Sequence, residues 1–204
     1  MKAILRLALV VAIVASTYYA IVRIAEHKAD ALAGGETFVL DGRHAAEKGA
    51  LAALSAQLRG WGEDALATSL DQLQGSGQLW VAPRLAGGRS AVYVNALGLV
   101  SRVYVRGDEI VVRRLPFPDL DLPDEARRTF VTIRLAGTLF HELQHHQGVE
   151  DEDAAYEREM AFYRGLGERN ADRLEGEEKR WFEWALESAL DSAAAAREKA
   201  WRDP

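Results

Sequence analysis

A single stretch, residues 123–147, limits the folds open to this chain more than any other. Pro123, Asp124 and Glu125 have the makeup of a helix first turn: the proline's missing N–H costs nothing there, and acids favour the positive end of the helix dipole. The residues that follow, Phe130, Val131, Ile133, Leu135, Leu139, Phe140 and Leu143, fall on more than one side of a helix. A helix of that kind is central and mostly buried. Its last turns nevertheless carry His141, Glu142 and His145, and polar groups taken out of water without partners cost free energy. The fold must surround this helix and also give these side chains something to bind.

A metal ion would do so. Residues four apart stack on one helix face, so the ring nitrogens of His141 and His145 can close on one ion while Glu142 points beside it. The pattern His-Glu-x-x-His is the minimum apparatus of a zinc hydrolase, with the glutamate as general base toward a zinc-activated water. The chain has no cysteine, so any metal is held by His, Asp or Glu, and disulfides are excluded. A catalytic zinc usually takes three protein ligands, and Gly148 is where the chain can turn back to supply the third. Behind it, residues 150–157 hold five carboxylates in eight positions. Most of them fit the acidic start of a solvated helix.

Here the chain resembles the gluzincin group of zinc metallopeptidases, in which a glutamate on the next helix joins the His-Glu-x-x-His pair and begins a Glu-x-x-Ala pattern. Glu152-Asp153-Ala154-Ala155 fits that pattern, and the resemblance implies Glu152 as third ligand and Zn2+ as cofactor. It covers residues 138–163 only. A rival spacing, similar to the metzincin group, runs His145, Gly148, Asp151 and would place the ligand at Asp151, with Glu157 and Glu150 as outsiders. No methionine turn follows, since Met160 sits in expected helix. His146 falls one residue past the ligand face, and Asp153 is a candidate to orient a ligand histidine. Tyr156, Tyr163 and Arg164 are candidates to stabilise an oxyanion.

The N-terminus speaks to location. Apart from Arg6, Ser16, Thr17 and Arg23, residues 3–24 are apolar, close to the roughly 20 residues that cross a bilayer. The best small-residue cleavage site, Val14-Ala15-Ser16, is poor, so residues 1–25 are expected to form an uncleaved anchor, with a signal peptide as the alternative. Lys2, Arg6 and the amino terminus outweigh the balanced charges after the span, which orients the N-terminus to the cytoplasm and the domain outward. Residues 26–42, with Gly34-Gly35, read as a tether, and 43–204 as one domain. A net charge of -6 with interspersed signs argues against a nucleic-acid partner.

Within the domain, 45–58 and 63–73 have helical spacing, and β-branched and aromatic residues then mark strands at 79–81, 91–94, 100–105 and 110–112. Alternation of Arg102, Tyr104 and Arg106 with Val103 and Val105 predicts one wet and one dry face. Two further helices are expected, at 150–166 and 173–201, the second amphipathic with Trp181, Trp184 and Leu186 on one side. The expected fold is α+β: a transmembrane helix, then a small antiparallel sheet of three or four strands on a helical core that carries the motif, closed by a long C-terminal helix. The expected function is a membrane-anchored metallopeptidase acting on protein or peptide substrates. Its rivals are a non-catalytic zinc domain and a metal-free, membrane-tethered assembly module.

Overall fold

The computed structural model describes residues 2–34, 38–39, 45–86, 89–110 and 122–202. It is an α+β protein with helices α1 (Lys2–Ala33), α2 (Ala45–Gly60), α3 (Asp64–Gly75), a single turn α4 (Gly107–Ile110), α5 (Asp124–His146), α6 (Glu152–Asn170) and α7 (Gly176–Arg202). Strands β2 (Leu79–Ala82), β3 (Ala91–Ala96) and β4 (Val100–Arg106) form a mixed sheet, and a two-residue segment, β1 (Phe38–Val39), extends its β2 edge. The order is β1-β2-β4-β3.

Two sequence expectations about the sheet change. The strands were expected to be all antiparallel, but β2 pairs parallel with β4, Leu79 opposite Val103 and Ala82 opposite Arg106. The chain leaving β2 passes to the far edge to form β3, and the tight β3–β4 turn brings β4 back into the gap between them, running with β2. The expected strand at 110–112 is also not seen, because Ile110 closes α4 and is buried, while Val111 and Val112 lie outside the described residues.

Val81, Val103 and Val105 face α5 and join a core that takes in Leu58, Leu70, Ile133, Leu139, Leu166 and Phe182. α5 lies between the sheet and the pair α6 and α7. Packing on two opposite sides explains why its apolar residues fall on more than one face, while Asp124, Glu125 and Arg128 stay exposed. Leu186 is buried in the same core, while Trp184 packs on Phe130, their rings 5.2 Å apart, and Trp181 packs on Trp184.

The opposite face of the sheet is not wet. The expected tether does not begin at residue 26, because α1 continues to Ala33 and lays Ala25, Ala29 and Ala33 on Val94, Ala96, Val100 and Tyr104. Small side chains at i, i+4 and i+8 let the helix approach the pleat closely. Arg102 is only 8% exposed and Tyr104 fully buried. The Arg102 guanidinium pairs with Asp30 at 3.1 Å and Glu26 at 3.2 Å, and lies 3.8 Å over the Trp80 ring. Tyr104 donates its hydroxyl to Asp30 at 2.9 Å. Alternation identified which residues share this face; a helix from outside the sheet decided that the face is covered.

Removing one partner of a fully buried ion pair costs about 3–5 kcal/mol. Glu26 and Asp30 keep 26% and 29% of their side-chain surface in water. Arg102→Ala is therefore expected to cost about 2 kcal/mol, read as a lower urea midpoint in detergent micelles. An unchanged midpoint would show that α1 does not depend on this contact.

α1 is long and apolar enough to cross a membrane. Leu9, Val10, Val11, Ile13 and Val14 are each more than half exposed, unlike the side chains of a core helix.

Candidate metal centre

Each of the expected ligands is delivered by a local device. α5 holds His141 and His145 on one face, and α6 starts six residues after α5 ends. Gly148 makes the reversal possible: its φ of 96° is strained for any residue with a Cβ. The turn brings the Val149 carbonyl back to accept a hydrogen bond from Nδ1–H of His145 at 2.6 Å. A carbonyl only accepts, so the proton sits on Nδ1 and the Nε2 lone pair of the neutral ring points away from the helix. Asp151 caps α6, accepting from the Asp153 N–H at 3.2 Å, and Glu152 is the first helical residue.

The three side chains converge. Nε2 of His141 lies 3.1 Å from Nε2 of His145 and 3.2 Å from Oε2 of Glu152, and the third edge, His145 to Glu152, is 3.6 Å. Bond lengths of about 2.0–2.2 Å to a tetrahedral ion imply donor separations of about 3.3–3.6 Å. The triangle matches one face of such a tetrahedron, so His141, His145 and Glu152 can hold a metal ion.

The support behind these groups differs from expectation in one place. Asp153 does not orient a histidine, because Arg197 of α7 takes its carboxylate in a two-pronged contact at 2.5 and 2.7 Å. A permanently charged fork alongside α6 outcompetes a ring on another helix. Glu157 also binds Arg197, at 2.7 Å. The other outsider, Glu150, lies exposed at the cleft, and the rival ligand Asp151 serves as the cap of α6.

The group behind His141 is Glu159, which the sequence reading did not single out. Its Oε2 lies 3.2 Å from Nδ1 of His141, close enough for a charge contact though not aligned as a hydrogen bond. Tyr163 donates to the other oxygen of Glu159 at 3.1 Å. Residues 152, 156 and 159 share one helix face at i, i+4 and i+7, so placing Glu152 in the donor triangle also places Tyr156 and Glu159 beside it. Tyr156 packs at a tilt on His141 with ring centres 4.4 Å apart. His146 turns toward the sheet, its Nδ1 3.1 Å from Ser101 Oγ and its ring on Tyr93.

Glu142 is buried, and its Oε2 accepts the backbone N–H of Tyr93 at 2.5 Å. Burial pushes its carboxyl upward, and His141, the Tyr93 N–H and His145 only partly restrain it. Glu152 is held well below the usual carboxylate range by the hydrogen bond from His141 and by His145 beside it. Burial works to lower His141, but Glu152 and Glu159, with the charge of Glu142, outweigh it and push the ring up to about 9. Burial, with nearby carboxylates adding to it, pushes Tyr156 up to about 12, so its hydroxyl stays a donor at neutral pH. Glu142, His141, Glu152 and Tyr156 all line a cleft of about 930 Å³ between α5, α6 and α7. Arg164 is exposed outside it, and Tyr163, which borders it, is committed to Glu159.

The pH dependence of metal uptake follows. With His141 raised to about 9, the metal-free pair carries a proton at neutral pH, and only one fits between nitrogens 3.1 Å apart. An incoming ion must displace it, so apparent affinity rises with pH up to about 9 and falls below it. Zinc added at pH 7 in weak buffer is expected to release about one proton per ion. A release of none would mean that the histidines do not ligate.

Comparison of the chain with known protein families, curated proteins and solved structures finds no match.

Proposed function

We propose that the protein is a membrane-anchored zinc metallopeptidase of gluzincin type, with His141, His145 and Glu152 as ligands and Glu142 as general base. The observation that carries this reading is the convergence of three donor atoms within 3.6 Å of one another beside a cleft that His141, Glu152 and the buried Glu142 line. A zinc ion held there supplies a Lewis acid that activates water and polarises a carbonyl. The two-nitrogen, one-oxygen donor set suits zinc better than calcium or magnesium, which prefer oxygen.

The residues of the chain do the rest. Glu142 takes a proton from the attacking water and returns it to the leaving amine, so amide and water become carboxylic acid and amine. An upward-shifted carboxyl is better matched to that shuttle than an ordinary one. Tyr156, neutral and at the cleft, is the donor best placed to steady the oxyanion. Substrate enters along β3. Tyr93 turns its N–H away from β4 to Glu142, and antiparallel alternation then turns the polar groups of Ala91 and Asn95 toward the same open edge. An extended peptide can add there as another strand. The apolar stretch of α1 anchors the enzyme, with the N-terminus on the cytoplasmic side and the domain outside.

Metal analysis beside a peptide-cleavage assay tests the reading. Wild type is expected to carry one zinc per chain and to lose both zinc and hydrolysis in His141→Ala, His145→Ala and Glu152→Ala. Full zinc in Glu152→Ala would remove the gluzincin assignment. Bound zinc with no hydrolysis of any peptide would leave a structural metal, and no zinc at all an assembly module.

A further inference from the structure

The direction in which α1 crosses the sheet can be read from its contacts. Arg102 reaches both Glu26 and Asp30, whereas Tyr104, two residues further along β4, bonds to Asp30. Gly34, just past the end of α1, abuts the Arg84 carbonyl, beyond the end of β2 that pairs with Arg106. The C-terminal end of α1 therefore sits at the Arg106 end of the sheet. Its apolar stretch leaves from the opposite end, where β3 turns into β4.

That turn is unusual for a hairpin in water. The Leu99 N–H bonds to the Ala96 carbonyl at 3.1 Å, and Leu97 and Gly98 both have positive φ, 57° and 68°. Asn-Gly or Asp-Gly suits this turn, because a branched apolar residue is sterically disfavoured in the left-handed region. Leucine stands there instead, and Leu97 and Leu99 are 55% and 44% exposed. They are the only large apolar side chains past Leu32 among the described residues that stand so far out of the protein.

We propose that the tip of the β3–β4 hairpin is a second membrane contact, with Leu97 and Leu99 seated in the interfacial layer of the leaflet from which α1 emerges. This inference rests on α1 spanning the bilayer. From Arg102 to the tip is about four residues of strand, roughly 13 Å. The same distance back along α1 from the Arg102 contacts is about nine residues, which reaches the neighbourhood of Thr17 to Ile21. Tyr18 and Tyr19 are 61% and 66% exposed, and tyrosines of this kind seat at the headgroup level. The tip and the tyrosines thus stand at one height. A bilayer rather than a protein partner is the occupant because the patch continues the lipid-facing surface of α1 with no tether between them.

A consequence concerns the site. α5 runs with its C-terminal end toward the same tip, since His146 meets Ser101 while Arg134, three turns earlier, meets Ser90 at the other end of the strand pair. Two membrane contacts on one rigid sheet hold the metal centre at a fixed height beside the bilayer. Its substrates are then polypeptide segments close to the membrane surface, and a soluble peptide has no such advantage.

The chain has no cysteine, so single-cysteine variants can carry an environment-sensitive dye. Full-length Leu99→Cys, Arg84→Cys and Ile13→Cys would be labelled and reconstituted in phosphatidylcholine–phosphatidylglycerol vesicles bearing nitroxide lipids. The Leu99→Cys label is expected to shift to the blue and lose intensity to a shallow nitroxide, while the Arg84→Cys label at the far end of the sheet does neither. Adding Leu97→Asn, which suits the turn and preserves the fold, is expected to return the label toward water. Emission at Leu99→Cys that stays water-like while Ile13→Cys is quenched would overturn the hairpin contact alone. A blue shift without nitroxide quenching would mean a protein neighbour and overturn it as well. An unquenched Ile13→Cys label would remove the span and this inference with it.

Discussion

Glu142→Gln is expected to lower peptide hydrolysis by about 10²–10⁴-fold while one zinc per chain is retained. The size follows from what the substitution keeps. Glutamine has the shape of glutamate and an amide oxygen that can still accept the Tyr93 N–H, so the 2.5 Å contact tying α5 to β3 survives. None of the three ligand atoms is touched. What disappears is the ability to take and return a proton. Stability should change little, because the amide is easier to bury than a carboxyl that burial already pushes upward. Steady-state cleavage beside zinc content separates the cases. Undiminished hydrolysis in this variant would place the base elsewhere, and loss of zinc would make Glu142 a structural support.

Gly137→Ala is expected to be the most damaging alanine substitution among the described glycines. A Cβ at Gly137 would stand 1.8 Å from the Tyr163 hydroxyl oxygen and 2.1 Å from the ring carbon that bears it. Those atoms cannot swing aside, because Tyr163 is 2% exposed, packed on Phe162 and bonded to Glu159. The helices must part instead. Overpacking of this kind costs about 1–3 kcal/mol and occasionally more, and the rigid ring argues for the upper end. In a chain of this size that is a fall in melting temperature of roughly 6–12 °C. The damage should also reach the metal: moving α6 draws Glu159 from His141 and Glu152 from the donor triangle, so zinc affinity falls too. Tyr163→Ala removes the ring, so the double variant should be less destabilised than the sum of the single ones. Strict additivity would show that the two residues do not meet.

The sequence was most legible where one residue's neighbours along the chain decide its environment. The helices at 45–58, 63–73 and 123–147 emerge within a few residues of their expected bounds because periodicity, Pro123 and glycine stops are local signals. Glu152 was singled out by the Glu-x-x-Ala pattern of the resemblance, since the spacing after Gly148 by itself left Asp151 as a rival. The parallel pairing of β2 with β4 was hidden, since strand order depends on which gap a hairpin fills and not on the composition of any strand. Covering of Arg102 and Tyr104 was hidden for a similar reason. Their partners, Glu26 and Asp30, lie more than seventy residues away in a segment that reads as a tether.

By itself, then, the sequence determined the chemistry available. Histidines at i and i+4 with a glutamate between them follow from helical spacing, a cluster of carboxylates behind Gly148 offers the third ligand, and the apolar run at 3–24 follows from composition. Tertiary structure alone decided which carboxylates reach the site. Asp153 is drawn off by Arg197, and Glu159 is brought behind His141, where Tyr163 in the notch of Gly137 also binds it. The tertiary fold likewise fixed α1 to the sheet. The physical reason is range: helix periodicity acts over a turn or two, whereas desolvation and charge pairing act between whatever surfaces the fold presses together.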